Sequence, residues 1–223
     1  MSNSLGREID LLAKYPKPKR NISIRGSSKT TQQQQLARKF GKDFFDGDRS
    51  NGYGGYYYNE KFWVNVIPDF IKFYNLKDND KILDIGCGKG FMLYDFKKAN
   101  SKFKVEGIDI SEYAIENAKP EIKGMLKIGD AKKLNYEDNS FDLVISITTV
   151  HNLDLKECRE ALKEIERVSK KHKFLTVDAY SNEKEKEQMY SWNLTAKTIL
   201  HTDEWKKLFL ESKYSGDFYW FKP

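Results

Sequence analysis

At 223 residues the chain has room for one well-buried domain and an extension, but not for two unrelated large domains. Hydrophobic residues are 39% of it, below the usual share of roughly 45–50%, so a core must lean on its aromatics, and no run approaches the ~18 apolar residues of a membrane span. The net charge of +6 lies wholly in residues 1–50, which hold 11 Lys and Arg against 5 Asp and Glu, while the rest balances 28 against 28; a neutral body lacks the basic stripe that nucleic-acid phosphates need. Residues 1–20 mix charges with no apolar segment of the signal-peptide kind, and Cys87 and Cys158 have no paired spacing for a metal, so the expected setting is the cytoplasm, with no metal site.

In chain order, YPKPKR (15–20) and QQQQ (32–35) read as a solvated or partner-seeking basic arm. DGDRSNGYGGYYYNEKFW (46–63) sets Tyr53, Tyr56, Tyr57 and Tyr58 among glycines, a composition unsuited to a core helix. KFWVNVIPDFIKFYNL (61–76) is apolar enough for a helix packed on a sheet, and Pro68 near its middle predicts a break or kink. From residue 81, short apolar runs alternate with helix-period stretches. The runs are KILDI (81–85), FKVEGIDI (103–110), GMLKIG (124–129), FDLVISI (141–147) and KFLTVDAY (173–180); between them lie 91–100, 111–119 and 155–170. This is the pattern of βαβ units on a parallel sheet, whose ligand crevice lies at the carboxyl ends of the strands. Residues 181–200 read as a helical insertion, 202–212 as a last helix with Thr202 as N-cap, and 215–221 as one final strand.

The strongest local signal is ILDIGCGKGF (82–91), in which a buried strand ends at Asp84 and a glycine turn opens a helix at about Phe91. Gly86, Gly88 and Gly90 permit a tight turn and close approach of the backbone to a ligand. Phe91 stands where a dinucleotide fingerprint would put its last glycine, which disfavours NAD or FAD. Asp109 ends the next strand, and Ser111 is available to cap the helix after it.

This run resembles motif I of the class I S-adenosylmethionine-dependent methyltransferases, and the resemblance extends over residues 81–180. It implies a Rossmann-like, doubly wound α/β sheet, mostly parallel, of six or seven strands with an N-terminal extension, and S-adenosylmethionine as cofactor. It further implies that Asp84 organises the methionyl amino group, that Gly86, Cys87, Gly88 and Gly90 surround the carboxyl and ribose end, and that Asp109 accepts from both ribose hydroxyls. IGDAKKLNYEDNSFDLVIS (128–146) resembles the third and fourth motifs: Asp130 and Ala131 would meet the adenine edge, Ile110 its face, and Ser146, on the fourth strand, would also border the cofactor. The single strand expected after the last helix departs from the reversed hairpin usual in that family.

His151, just beyond the fourth strand, is the candidate general base or, equally, a hydrogen-bonded residue that shapes its loop. Ser146-Ile147-Thr148-Thr149 matches neither the Pro-Pro run of amino-directed nucleic-acid methyltransferases nor a Pro-Cys nucleophile, and no carboxylates stand there to hold magnesium. Many similar enzymes fold the segment before the sheet over the cofactor as a lid. Residues 1–60 are therefore expected to form the arm and lid, with Arg49, Tyr56, Tyr57 and Tyr58 toward substrate, and 61–223 the methyltransferase domain, with Tyr190, Trp192 and Asn193 facing them from the insertion. The expected reaction is methyl transfer to an O- or N-nucleophile of a small molecule, as in the similar ubiquinone and menaquinone methyltransferases. The alternatives are an RNA- or protein-modifying enzyme and a non-catalytic cofactor-binding module. Nothing in the sequence speaks to oligomeric state.

Overall fold

The computed structural model describes residues 4–17 and 29–222, so the PKR end of YPKPKR lies outside the described residues. The described residues form a seven-stranded sheet from β1 (Lys81–Ile85), β2 (Lys104–Asp109), β3 (Leu126–Ile128), β4 (Phe141–Ile147), β5 (Ser169–Tyr180), β6 (Leu200–His201) and β7 (Asp217–Phe221). The order is β3-β2-β1-β4-β5, and the far edge of β5 is shared: β7 pairs along Phe174–Asp178 and the two-residue β6 along Ala179–Tyr180. Every pair is parallel. The seventh strand thus comes from the end of the insertion, and the last strand runs with its neighbours instead of against them.

The strands bury both faces, and the period of two assigns each residue to a side. Ile82, Leu143, Ile145 and Phe174 meet the helices Ile67–Phe73 and Phe91–Ala99 on one face. Leu83, Ile85, Val144, Leu175 and Val177 meet Leu155–Val168 and Thr202–Glu211 on the other. The helix Leu155–Val168 is begun by Asp154, whose side chain accepts from Glu157 N while Glu157 reaches back in a capping box. Its buried stripe of Cys158, Ala161, Leu162, Ile165 and Val168 follows the helical repeat, each large apolar side chain contributing roughly 1.5–3 kcal/mol on burial.

Three local expectations change. Pro68 does not kink a long helix; it occupies the first turn of Ile67–Phe73, where its missing N–H costs nothing, and residues 60–66 are turns. Thr202 is the first helical residue, not the cap, because the His201 side chain accepts from Asp203 N and pairs with Glu204 in a capping box. β5 begins four residues early, at Ser169, because its polar start pairs with Phe141 and Leu143 across a register shift.

The described start of the chain is built into the sheet. Ile9 N donates to Phe218 O and Phe218 N to Arg7 O, each at 2.9 Å, a parallel bridge on the open edge of β7. The Arg7 guanidinium forks onto Asp217, with Nε to Oδ1 at 2.9 Å and Nη2 to Oδ2 at 2.8 Å, and the buried Tyr74 hydroxyl donates to the same carboxylate at 3.1 Å.

Candidate functional site

The carboxyl ends of β1, β2, β4 and β5 open into a cavity of about 1600 Å³, roofed by Leu12, Tyr15, Phe40, Phe45, Tyr53 and Tyr56. At its floor the glycine turn runs at φ +81° for Gly86 and +54° for Gly88, values that favour glycine. The amides of Gly86 and Cys87 both donate to Ile108 O, at 2.8 and 3.0 Å, which locks the turn to β2. The glycines then divide by what a Cβ would meet. At Gly86 it would lie 2.0 Å from Thr149 Oγ1 and at Gly90 2.7 Å from Leu126 Cδ1, both inside the protein; at Gly88 the nearest atom is Cε1 of the Tyr56 ring at 3.3 Å. Gly86 and Gly88 both line the cavity, but only at Gly88 would the Cβ point toward the roof.

Two carboxylates flank that turn. Asp84 is buried and hydrogen-bonds to no described residue; burial, and then the charge of Asp109, push its pKa up to about 7. Asp109 Oδ2 accepts from Gly88 N at 2.7 Å and Oδ1 from Ser111 N at 2.8 Å, leaving each oxygen a lone pair for a further donor. Burial raises its pKa, and the amides of Ser111, Gly88 and Ile110 offset part of that rise. Ser111 caps its helix by accepting from Ala114 N, so Asp109 is not spent as a cap. Ile110, 58% exposed, and Ala131 line the cavity beside them. Asp130 lines it too, with Oδ1 accepting from Lys132 N at 3.0 Å. Cys87 lines the cavity as a buried thiol whose pKa burial pushes up.

On the acceptor side, His151 sits in the 3-10 turn Val150–Asn152 after β4, 3% exposed. Its Nδ1 accepts from Asp178 N at 2.9 Å, its Nε2 stands 3.6 Å from Asp178 Oδ2, and burial drives its pKa down to about 3. Asp178, at the end of β5, also accepts from Asn193 Nδ2 through Oδ2 and from Trp205 Nε1 through its carbonyl. Trp192 and Asn193 line the cavity, as do Arg49, Tyr56 and Tyr57; Arg49 itself donates to Gly52 O and Tyr53 O and so braces its own loop.

Four expected residues stand apart from the cavity. Gly90 faces Leu126 and Ile122, the buried Ser146 hydroxyl donates to Ile85 O, Tyr58 donates to Asp95 Oδ1 at 2.7 Å, and Tyr190 is 54% exposed on the outside of its helix. Sequence reasoning missed Asp178, although an acidic residue at the end of a parallel strand is the signal that singled out Asp84 and Asp109. It also missed Thr148, a β-branched residue at φ +50° whose amide donates to both Thr176 O and Oγ1, a strained backbone at the mouth of the site.

A family model described as a methyltransferase domain matches residues 76–215, more than half of the chain. The chain belongs to the methyltransferase domain family. Class I members of that family take S-adenosylmethionine as methyl donor. This methyltransferase domain is 39% identical over 95 residues to demethylmenaquinone methyltransferase of Staphylococcus aureus, covering 40% of this chain and 39% of that one. It is 30% identical over 128 residues to the mitochondrial arginine-hydroxylase NDUFAF5 of Mus musculus, covering 50% and 36%. The chain thus spans less than half the length of these curated relatives. Among solved structures, the YcgJ protein of Bacillus subtilis aligns over 66% of each chain at 20% identity with a TM-score of 0.53, a likeness of fold.

Proposed function

We propose that the protein transfers a methyl group from S-adenosylmethionine to an O- or N-nucleophile of a small-molecule acceptor. The observation that carries this reading is the cradle of Asp84, Gly88 and Asp109 at the floor of a cavity roofed by the chain's own N-terminal residues. Gly88 leaves open the space a Cβ would fill, Asp109 keeps two lone pairs for neighbouring hydroxyls, and Asp84 is a buried carboxylate with no hydrogen-bond partner among the described residues, which suits an ammonium. Ile110 and Ala131 would flank the adenine, with Asp130 at its amino edge. When bound, the cofactor supplies a methyl group on a sulfonium. The protein's part is then to align the acceptor, an effect that can contribute roughly 7–11 kcal/mol.

In this reading the described residues of the segment before residue 61 supply the arm and lid, with Leu12, Tyr15, Phe40, Phe45, Tyr53 and Tyr56 along the cavity, and residues 61–223 are the body of the enzyme. A roof over the carboxyl edge supports a small acceptor over RNA or protein, and aromatic walls suit a flat ring of the quinone kind. Both cysteines are buried and unpaired, in keeping with a cytoplasmic setting, and no described helix is long and apolar enough to cross a membrane. One relative is named a hydroxylase, so the test must detect product. Incubating the protein with methyl-labelled S-adenosylmethionine and a metabolite extract should give a small molecule one methyl heavier; label found only in protein or RNA would overturn the acceptor class.

His151 serves here as a positioning residue instead of the general base. With Nδ1 accepting from a backbone amide, the ring proton stands on Nε2, and no lone pair remains to take a proton from an acceptor hydroxyl. We expect His151→Gln to lower kcat less than about tenfold, whereas loss of a true base removes about 10²–10⁴-fold. A loss in that larger range, together with an acid pH–rate limb that disappears in the variant, would restore the base role.

Asp84 makes cofactor affinity pH-dependent. To hold an ammonium it must be ionised, and its pKa of about 7 means that binding near neutrality releases a proton. Affinity should rise about tenfold per pH unit below that value and level off above it. Calorimetry between pH 5.5 and 8.5 in buffers of different ionisation enthalpy reads the proton directly. A flat profile that Asp84→Asn leaves unchanged would exclude the contact. In the free protein the sign is opposite: because the folded pKa is raised above 3.8, ionising Asp84 costs stability as pH climbs from that value toward 7.

A further inference from the structure

One carboxylate outside the cavity collects contacts from three separate parts of the cradle. Asp46 follows the short helix Lys42–Phe45. Its Oδ2 accepts from Lys89 Nζ at 2.6 Å and from the Tyr113 hydroxyl at 2.8 Å, and its Oδ1 accepts from Tyr56 N at 2.9 Å. Lys89 stands inside the glycine turn, between Gly88 and Gly90; Tyr113 lies on the helix Glu112–Glu116 that follows Asp109; Tyr56 is the residue whose ring lies over Gly88. The charged side chains are nearly sealed from water, 11% exposed for Asp46 and 5% for Lys89.

A buried pair gains little stability over an apolar replacement, because desolvation offsets the attraction, but it admits only a narrow geometry. Burial favours the neutral carboxyl at Asp46, yet Lys89, the Tyr56 amide and the Tyr113 hydroxyl together hold its pKa below the usual range, so Asp46 stays ionised at neutral pH. What it holds in place is aromatic. The Tyr56 ring stacks on Phe91 with centroids 5.0 Å apart and meets Tyr53 at 4.5 Å and Phe45 at 5.5 Å. A second tie, from the Ser111 hydroxyl to Phe40 O, fastens the same segment to the end of β2.

We propose that Asp46 and Lys89 are a positioning pair that clamps the Tyr53–Tyr56 segment over the glycine turn and thereby sets how slowly the cofactor leaves. Neither residue lines the cavity, so both act through Tyr56. The inference rests on the cofactor assignment above.

The experiment compares wild type, Asp46→Asn, Lys89→Met and the double variant. It measures stopped-flow release of S-adenosylmethionine and S-adenosylhomocysteine, thermal melting, and amide hydrogen exchange of residues 41–57 without cofactor. Each single variant should speed release about tenfold with association nearly unchanged, and the double should be no faster than the faster single, since both break one coupled pair. The double variant, free of a lone buried charge, should regain melting temperature while release stays fast and exchange at Tyr53 and Tyr56 stays raised. Release unchanged in Asp46→Asn, or release that recovers with the melting temperature in the double, overturns the proposal. If wild type binds neither probe, the cofactor assignment falls and takes this inference with it.

Discussion

Gly88→Val is expected to raise the dissociation constant for S-adenosylmethionine by more than about 100-fold, close to 3 kcal/mol, while the sheet remains folded. Gly88 lies at φ +54°, a conformation that costs a side-chain-bearing residue roughly 1–2 kcal/mol. Its Cβ would already touch the Tyr56 ring at 3.3 Å, and the two methyl groups beyond it would enter the space between roof and turn. The amide of the same residue donates to Asp109, so any backbone shift that relieves the crowding also misplaces that carboxylate. Gly90→Ala provides the contrast, because its Cβ would strike Leu126 and Ile122 within the core and should lower the melting temperature first. Titration calorimetry with a melt for each variant separates the two. Binding within tenfold of wild type in Gly88→Val would show that the glycine serves only the turn.

Asp109→Ala is the second large effect. A carboxylate that accepts from two hydroxyls contributes on the order of 1.5–3 kcal/mol to binding, and its loss here also leaves the amides of Gly88 and Ser111 without their acceptor. The loss should therefore approach the upper end of that range, with some stability lost as well. Asp109→Asn tells the two roles apart: its one oxygen keeps part of the local bonding, but its amide group presents hydrogens where hydroxyl hydrogens must be received. If Asn binds the cofactor like wild type while Ala does not, Asp109 is a tie between β2 and the turn and not a ligand.

The central strands were legible because burial on both faces makes each a short apolar run, and KILDI and FDLVISI coincide with β1 and β4 residue for residue. The glycine turn was legible because three left-handed positions in five residues demand glycine. Less local features were not. Leu200 and His201 form a strand only because Ala179 and Tyr180 extend past β7 and leave an edge to pair with. His151 advertised a titratable ring, but what decides its chemistry is an amide 27 residues away. Asp46 and Lys89 lie 43 positions apart in stretches that read separately as loop and motif, and no periodicity links them.

The clasp between Arg7 and Asp217 joins positions 210 apart. Contacts of such separation are among the slowest to form, since almost the whole chain must be gathered before they are rewarded. On a ribosome, residues 7–9 emerge early and wait through nearly the entire synthesis of this stretch for β7 to appear. Until then the outer edge of β5, and afterwards that of β7, offers unpaired amides and carbonyls to any other nascent chain. A version lacking residues 4–9 should therefore fail first in the yield of monomer during refolding, by templating strand exchange, before any change in its catalytic groups is felt.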